Sequence, residues 1–383
     1  MPQKVLLAMS GGVDSTVAAI LLLDGGYEVE GVTFTVNAPN GLPSCAAHSG
    51  ASAEAASKAA SKLGIAHHTA DLTNEFDREV LEPFRSGYLS GCTPNPCVLC
   101  NRAIKADALP ARASDAGIAF DLIATGHYAR LVRGDDGSTS LLRGADHAKD
   151  QAYFLSMLTR RQLAGMILPL GGLSKAEVRE IARSRGFDDA ADRSESQDFA
   201  GGAGLARLLG PDALKPGSIF TTRGEVIGSH GGWALFTRGQ RHGLGLGGMA
   251  APLYVISIDP ASGSVIVGPR EDLLTRSLVA GPMNWIAWDG EPPAGFRAKA
   301  RMRSTGGFAG ASVTPSRGDP SMVDVEFDEP VTSAVPGQYL VLFDGDAVLG
   351  AGPVRSLEKD PRPSRGTGEG RPGSSAGAEG SPE

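Results

Sequence analysis

The chain has 383 residues, more than one ordinary domain, so two or three domains with full cores are expected. Its 36 Lys plus Arg against 43 Asp plus Glu leave a net charge of −7, which excludes a chain-wide attraction to phosphate and leaves any nucleic-acid contact to local basic faces. No apolar run approaches a membrane span and the short one near Met1 reads as a strand, so a soluble, cytoplasmic protein with no membrane partner is expected.

Residues 1–205 alternate short apolar strands with amphipathic helices. Strands are predicted at Lys4–Met9, Glu28–Thr35, His67–Asp71 and Asp121–Ala124, and helices at Ser52–Leu63, Arg78–Tyr88, Ile104–Ala116 and Lys175–Arg185. This alternation implies an α/β, doubly wound parallel sheet that binds ligands at the C-terminal ends of its strands. The first strand runs into Ser10-Gly11-Gly12-Val13-Asp14-Ser15 and then a helical segment. Gly11 and Gly12 permit close backbone approach, and the amides opening the helix suit phosphate oxygens. Ser10 and Ser15 add hydroxyls, and Asp14 is a candidate to hold Mg2+ or orient a base. A Walker loop is excluded because no Lys follows the second Gly, and a nicotinamide fingerprint because no third Gly falls in register.

All four cysteines, Cys45, Cys92, Cys97 and Cys100, lie in the first hundred residues, a clustering that favours catalysis, redox exchange or a metal over structural disulfides. In Gly91-Cys92-Thr93-Pro94-Asn95-Pro96-Cys97-Val98-Leu99-Cys100-Asn101, two prolines stiffen the approach to Cys97 and Cys100. No second Cys-x-x-Cys completes a zinc site, whereas an iron–sulfur cluster would need three of the four cysteines. Next, Ala124-Thr125-Gly126-His127-Tyr128-Ala129-Arg130 follows a predicted strand, where Gly126 admits a nucleotide and His127 or Arg130 meets phosphate or base. Lys149-Asp150-Gln151 reads on its own as a solvated helix start, and Phe236 to Gly245 puts Arg238, Arg241 and His242 in a Gly-rich, phosphate-contacting turn.

The pattern then turns to strands and Gly turns. Strands are expected at Ser218–Thr222, Leu253–Asp259 and Ser264–Gly268 in a central β module (206–275), and at Arg297–Ser304, Met322–Phe327, Gln338–Phe343 and Ala347–Gly350 in a C-terminal β segment (276–355). Residues 356–383 lack apolar anchors and read as a disordered tail.

The Ser10–Ser15 turn resembles the PP-loop of enzymes that split ATP into AMP and pyrophosphate. With Ala8–Ser15, Thr93–Asn101, Ala124–Arg130, Lys149–Leu155, Thr237–Gly245 and Pro336-Gly337-Gln338 in order and spacing, residues 4–353 resemble the bacterial tRNA-specific 2-thiouridylase (MnmA) family. That resemblance implies a PP-loop ATP pyrophosphatase domain, a small β module and a C-terminal β-barrel that helps grip tRNA. ATP would adenylate the 2-carbonyl oxygen of the wobble uridine, and a cysteine persulfide, fed by a donor of the cysteine desulfurase relay, would deliver sulfur. Carried over by position, ATP contacts are Ala8, Met9, Ser10, Gly11, Gly12, Val13, Asp14, Ser15, Phe34 and Gly126. The tRNA contacts are His127, Lys149, Asp150, Gln151, Arg301, Met302 and Gln338, and Cys100 is the nucleophile.

One departure matters. Where the family has a second cysteine, in a segment of the form D-S-Q-D-I-C-F, this chain reads Glu195-Ser196-Gln197-Asp198-Phe199-Ala200, and no cysteine follows Cys100. Cys97, standing where the family commonly has Asp, is expected to pair with Cys100 for persulfide chemistry. The alternatives are an iron–sulfur cluster at the same cysteines, a PP-loop ligase or amidotransferase acting on a small metabolite, or a tRNA-binding paralogue without sulfur transfer.

Overall fold

The computed structural model describes residues 2–37, 50–192, 202–248 and 251–357. Cys45, the Glu195–Ala200 segment and the predicted tail beyond residue 357 lie outside them.

Lys4–Ala8 (β1) is buried on both faces, as a central parallel strand must be, and passes through the Ser10–Ser15 turn into Val13–Asp24 (α1). Glu28–Thr35 (β2), the alanine-rich helix Gly50–Leu63 (α2) and His67–Asp71 (β3) follow. Residues 73–89 are helical throughout and interrupted by a π-helical turn at Asp77–Leu81. A second helical run begins at Pro96 and ends at Asp115, with Cys100–Ala108 wound as a π-helix.

Leu122–Ala124 (β4) completes the centre of the sheet. The chain then makes a hairpin, Ala129–Arg133 (β5) and Thr139–Arg143 (β6), before returning through Met166–Ile167 (β7) and the helix Lys175–Ser184. Among the described residues the first sheet has the order β3-β2-β1-β4-β7, every pair parallel, with Leu7 opposite both Gly31 and Ala124. The strand order reverses beside β1, which puts the Ser10–Ser15 turn at the switch point of a doubly wound sheet.

The second sheet comprises Gly217–Thr221 (β8), Val226–His230 (β9), Tyr254–Asp259 (β10) and Ser264–Gly268 (β11) in the order β10-β11-β8-β9. The third contains Thr275–Ala280 (β12), Asn284–Trp285 (β13), Phe296–Arg301 (β14), Ala309–Ser316 (β15), Asp319–Val331 (β16), Tyr339–Asp344 (β17) and Ala347–Leu357 (β18). Because β12 pairs with both β16 and β18, six of these strands close into a barrel and leave no open edge between them.

The β5–β6 hairpin departs from the sequence reading, which treated residues 1–205 as plain strand–helix alternation. It joins the barrel sheet, with Leu142 opposite Ala347 on β18. A core of Ala129, Leu141, Tyr153, Leu155, Tyr339, Val341 and Phe343 fills the joint. The buried Tyr153 hydroxyl donates to the Tyr339 carbonyl (3.0 Å), with the Met302 carbonyl also in reach at 3.3 Å, and accepts from the Tyr339 amide (3.2 Å), so this large side chain bridges to the barrel without an unpaired polar atom.

Candidate active site

The turn after β1 is shaped by its own residues. Gly12 is extended at the N-cap of α1, and no side chain caps the helix, so the turn brings uncapped helix-start amides to the sheet end. Ser15 Oγ accepts from the Ser10 amide and donates to the Gly12 carbonyl, both at 3.2 Å, and Thr16 Oγ1 donates to the same carbonyl at 3.0 Å.

Two glycines are required by packing around the turn. Gly11 has φ +73°, and a Cβ there would stand 2.5 Å from Ala55 Cβ and 2.6 Å from Ala56 N of α2. At Gly126 a Cβ would lie 2.9 Å from the Asp14 carbonyl carbon and 3.1 Å from Ser15 N. Gly126 therefore permits close approach to the turn's own backbone. Met9, Val13 and Phe34 are buried in the sheet's packing, while Ala8 and Ser10 stay at least partly exposed. Thr33 Oγ1 fixes Met9 by donating to its carbonyl at 2.7 Å, and His67 Nε2 sits 2.8 Å from the same hydroxyl.

Sequence reasoning missed the partners of Asp14. The Lys175 ammonium lies 2.8 and 2.9 Å from the two Asp14 carboxylate oxygens, and the Tyr128 hydroxyl donates to one of them at 2.6 Å. Lys175 is 7% exposed and opens its helix behind a Ser174–Glu177 capping box. A lysine at the positive end of a helix dipole contradicts local preference, and that misfit was the signal available in the sequence. Together Asp14, Lys175 and Tyr128 put one anionic and one cationic group beside uncapped helix amides, an arrangement suited to a polyphosphate and its counter-ion.

His127 is half-buried, with Nδ1 2.8 Å from Thr125 Oγ1, and its burial, aided by the Lys105 charge, holds its pKa well below the usual range. It is therefore a neutral imidazole at neutral pH. Arg130 is engaged at the hairpin, donating to the Arg143 carbonyl (2.8 Å) and to Asp346 (2.8 Å).

The cysteine segment is a helix where a stiff loop was expected. Asn95 is an N-cap whose side chain accepts from the Cys97 amide at 3.1 Å, Pro96 occupies the first turn, and Cys97 and Cys100 follow one turn apart. Cys97 is exposed and Cys100 buried, Cys100 packing in a cluster with Leu6 of β1, Phe34 of β2 and Ile104. Burial also raises the pKa of half-buried Cys92, and the Arg355 charge opposes it. Among the described residues no group of three or more His, Cys, Asp or Glu side chains is placed to hold a metal ion.

Several residues carried over as tRNA contacts are enclosed. The Asp150 carboxylate is fully buried; it pairs with Arg301 (2.9 Å) and Arg143 (3.2 Å) and accepts from the amides of Gly144 (3.2 Å) and Ala152 (3.0 Å). Arg301 also donates to the carbonyls of Gly306 and Ser304. Met302 is 1% exposed, and Gln151 pairs through side chain and amide with the backbone of Tyr128. Gln338 donates to the Thr93 carbonyl at 2.6 Å, while Lys149 is half-buried. In the Gly-rich turn Arg238 is likewise interior, spent on the carbonyls of Ala334, Ile256 and Leu273, and Arg241 and His242 stay exposed.

Comparison with known proteins bears on this arrangement at family level. Family models described as tRNA methyl transferase HUP domain, tRNA methyl transferase PRC-barrel domain and aminomethyltransferase beta-barrel domain match residues 3–200, 205–269 and 275–354. The chain is 42% identical to the tRNA-specific 2-thiouridylase MnmA of Moorella thermoacetica, over 92% of this chain and 99% of that protein. This chain belongs to the MnmA family of tRNA-specific 2-thiouridylases. MnmA of Chloroflexus aurantiacus is 42% identical (91% of this chain, 97% of that one), and MnmA of Roseiflexus sp. is 41% identical (92% and 99%). The PP-loop sheet and the closed barrel agree with that membership.

Proposed function

We propose that this protein thiolates C2 of the wobble uridine of tRNA, using ATP at the Ser10–Ser15 turn and sulfur from the Cys97/Cys100 pair. A pyrimidine carbonyl oxygen is a poor leaving group, and transfer of AMP to it, with release of pyrophosphate, turns it into a good one. When bound, ATP supplies that activation and Mg2+ offsets the phosphate charge. On the chain's side, the α1 amides would hold phosphate oxygens, the Lys175 ammonium would offset their charge, and Asp14 is the carboxylate that would hold the metal.

Exposure of Cys97 supports its meeting a persulfide donor, and its position one helical turn from buried Cys100 supports an exchange between them. In the step we propose, the Cys100 thiolate attacks the inner sulfur of a Cys97 persulfide, a Cys97–Cys100 disulfide forms, and hydrosulfide departs. Hydrosulfide adds to C2 and AMP leaves with the former carbonyl oxygen. An external dithiol then reduces the disulfide. This route needs no cysteine at position 200.

One observation carries the reading: the cysteine helix packs, through Cys100 and Ile104, on the sheet whose central strand leads into the Ser10–Ser15 turn. The test is thionucleoside analysis of tRNA from cells whose only thiouridylase is this protein. 2-Thiouridine is expected with the wild type and absent with Cys100→Ser or Cys97→Ser. Normal 2-thiouridine in both variants overturns the chemistry.

A further inference from the structure

The Pro336-Gly337-Gln338 turn of the barrel meets the cysteine segment at close range. Thr93 N donates to the Pro336 carbonyl at 2.8 Å, and Gln338 Nε2 donates to the Thr93 carbonyl at 2.6 Å, so both backbone groups of Thr93 are held by one turn. Gly337, at φ +88°, lies so near that a Cβ would stand 2.9 Å from both Cys92 Cβ and Thr93 N. The turn is itself fixed to β18, with Gly337 N donating to the Val354 carbonyl (3.0 Å) and Val354 N to that of Gln338 (2.8 Å).

The central module closes on the other side. Thr93 Oγ1 lies 3.5 Å from Thr237 Oγ1, and Gly91, at φ +76°, faces Pro260, whose Cγ would be 3.0 Å from an added Cβ. From Thr93 only Pro94 separates the hold from Asn95, which caps the Cys97 amide. The same groups wall a cleft of about 400 Å³ lined by Thr93, Thr237, Gln240, Arg303, Ser304 and Gln338.

We propose that Gln338 is a positioning residue: the Pro336–Gln338 turn clamps Thr93 and so sets the start of the helix that presents Cys97 and Cys100, making cysteine presentation depend on the barrel. Its consequence for sulfur transfer rests on the thiolation reading, but the clamp is readable without RNA.

The test uses the full-length enzyme with Gln338→Met, which keeps length and loses the donor, and Gly337→Ala, which pushes the segment away with Gln338 intact. Amide hydrogen exchange by mass spectrometry is followed across residues 91–101, with β15 and β16 as the folding control. Both variants are expected to exchange about 2- to 10-fold faster across 91–101, the equilibrium worth of one hydrogen bond, with exchange of β15 and β16 unchanged. Single-turnover sulfur transfer at saturating tRNA is expected to fall by a similar factor, with pyrophosphate release within about twofold of wild type. Unchanged exchange across 91–101 in both variants overturns the clamp whether or not the enzyme thiolates RNA. Weaker tRNA binding with exchange and saturated transfer intact also overturns it, making Gln338 an RNA contact alone. A wild-type enzyme that fails to thiolate tRNA while both variants loosen 91–101 sinks the functional reading and leaves the clamp standing.

Discussion

The backbone bonds of the Ser10–Ser15 turn reach no more than five residues, and its distant partners, Tyr128 and Lys175 on Asp14, lie before the central module, whereas the cysteine segment is tied through Thr93 to the central module and the barrel, 144 and 245 residues away. The first is complete once the parallel sheet and its helices have packed. The second is complete only when the central module and the barrel have folded against it. On the proposed reading, one active site joins an ATP-handling half supported within the parallel-sheet region and a sulfur-handling half supported from all three sheets, and damage far from either separates them.

The largest expected effect comes from the joint between the hairpin and the barrel. Asp150→Ala leaves Arg143 and Arg301 without their buried partner and costs about 3–5 kcal/mol of stability, read by denaturant unfolding. If the comparison holds, sulfur transfer fails in this variant at temperatures where pyrophosphate release persists. Next is Lys175→Ala, expected to slow pyrophosphate release by about 10²-fold through loss of the cation beside the turn, with the thermal midpoint as folding control. Exchange across residues 91–101 stays as in the wild type.

Gly126→Ala is expected to cost about 1–3 kcal/mol by overpacking against Asp14 and Ser15, and to raise KM for ATP more than KM for tRNA. The smallest effect is on pH dependence. Because folding holds the pKa of His127 down, the unfolded chain takes up a proton first as pH falls below about 6.5. Stability conferred by the neutral ring is present above that pH and drains away below it. His127→Gln is expected to flatten this part of a plot of thermal midpoint against pH.

How much the sequence disclosed follows the same division. β1, the turn and α1 are written in consecutive residues, and β2 and β3 fall at their predicted limits. The helix start at Asn95-Pro96 was legible from its cap and first-turn proline but was read as loop stiffening. The β5–β6 hairpin also carried a signal, two alternating runs around Gly134-Asp135-Asp136-Gly137, yet no pattern within those residues says which sheet they join. Lys175 broke a local rule and so was detectable in principle. By contrast, the burial of Asp150 and Arg301 and the bond from Gln338 to Thr93 arise from tertiary approach alone, which no pattern along the chain announces.

In the proposed chemistry, two cysteines one helical turn apart replace the arrangement that a cysteine at position 200 would complete. The most direct measurement is peptide mass analysis of the enzyme loaded with a persulfide donor, before and after one turnover with ATP and tRNA. The account predicts one extra sulfur on Cys97 beforehand, and afterwards a Cys97–Cys100 disulfide formed in step with 2-thiouridine. Full 2-thiouridine formation by an enzyme whose Cys97 never carries the extra sulfur and never joins Cys100 would contradict it.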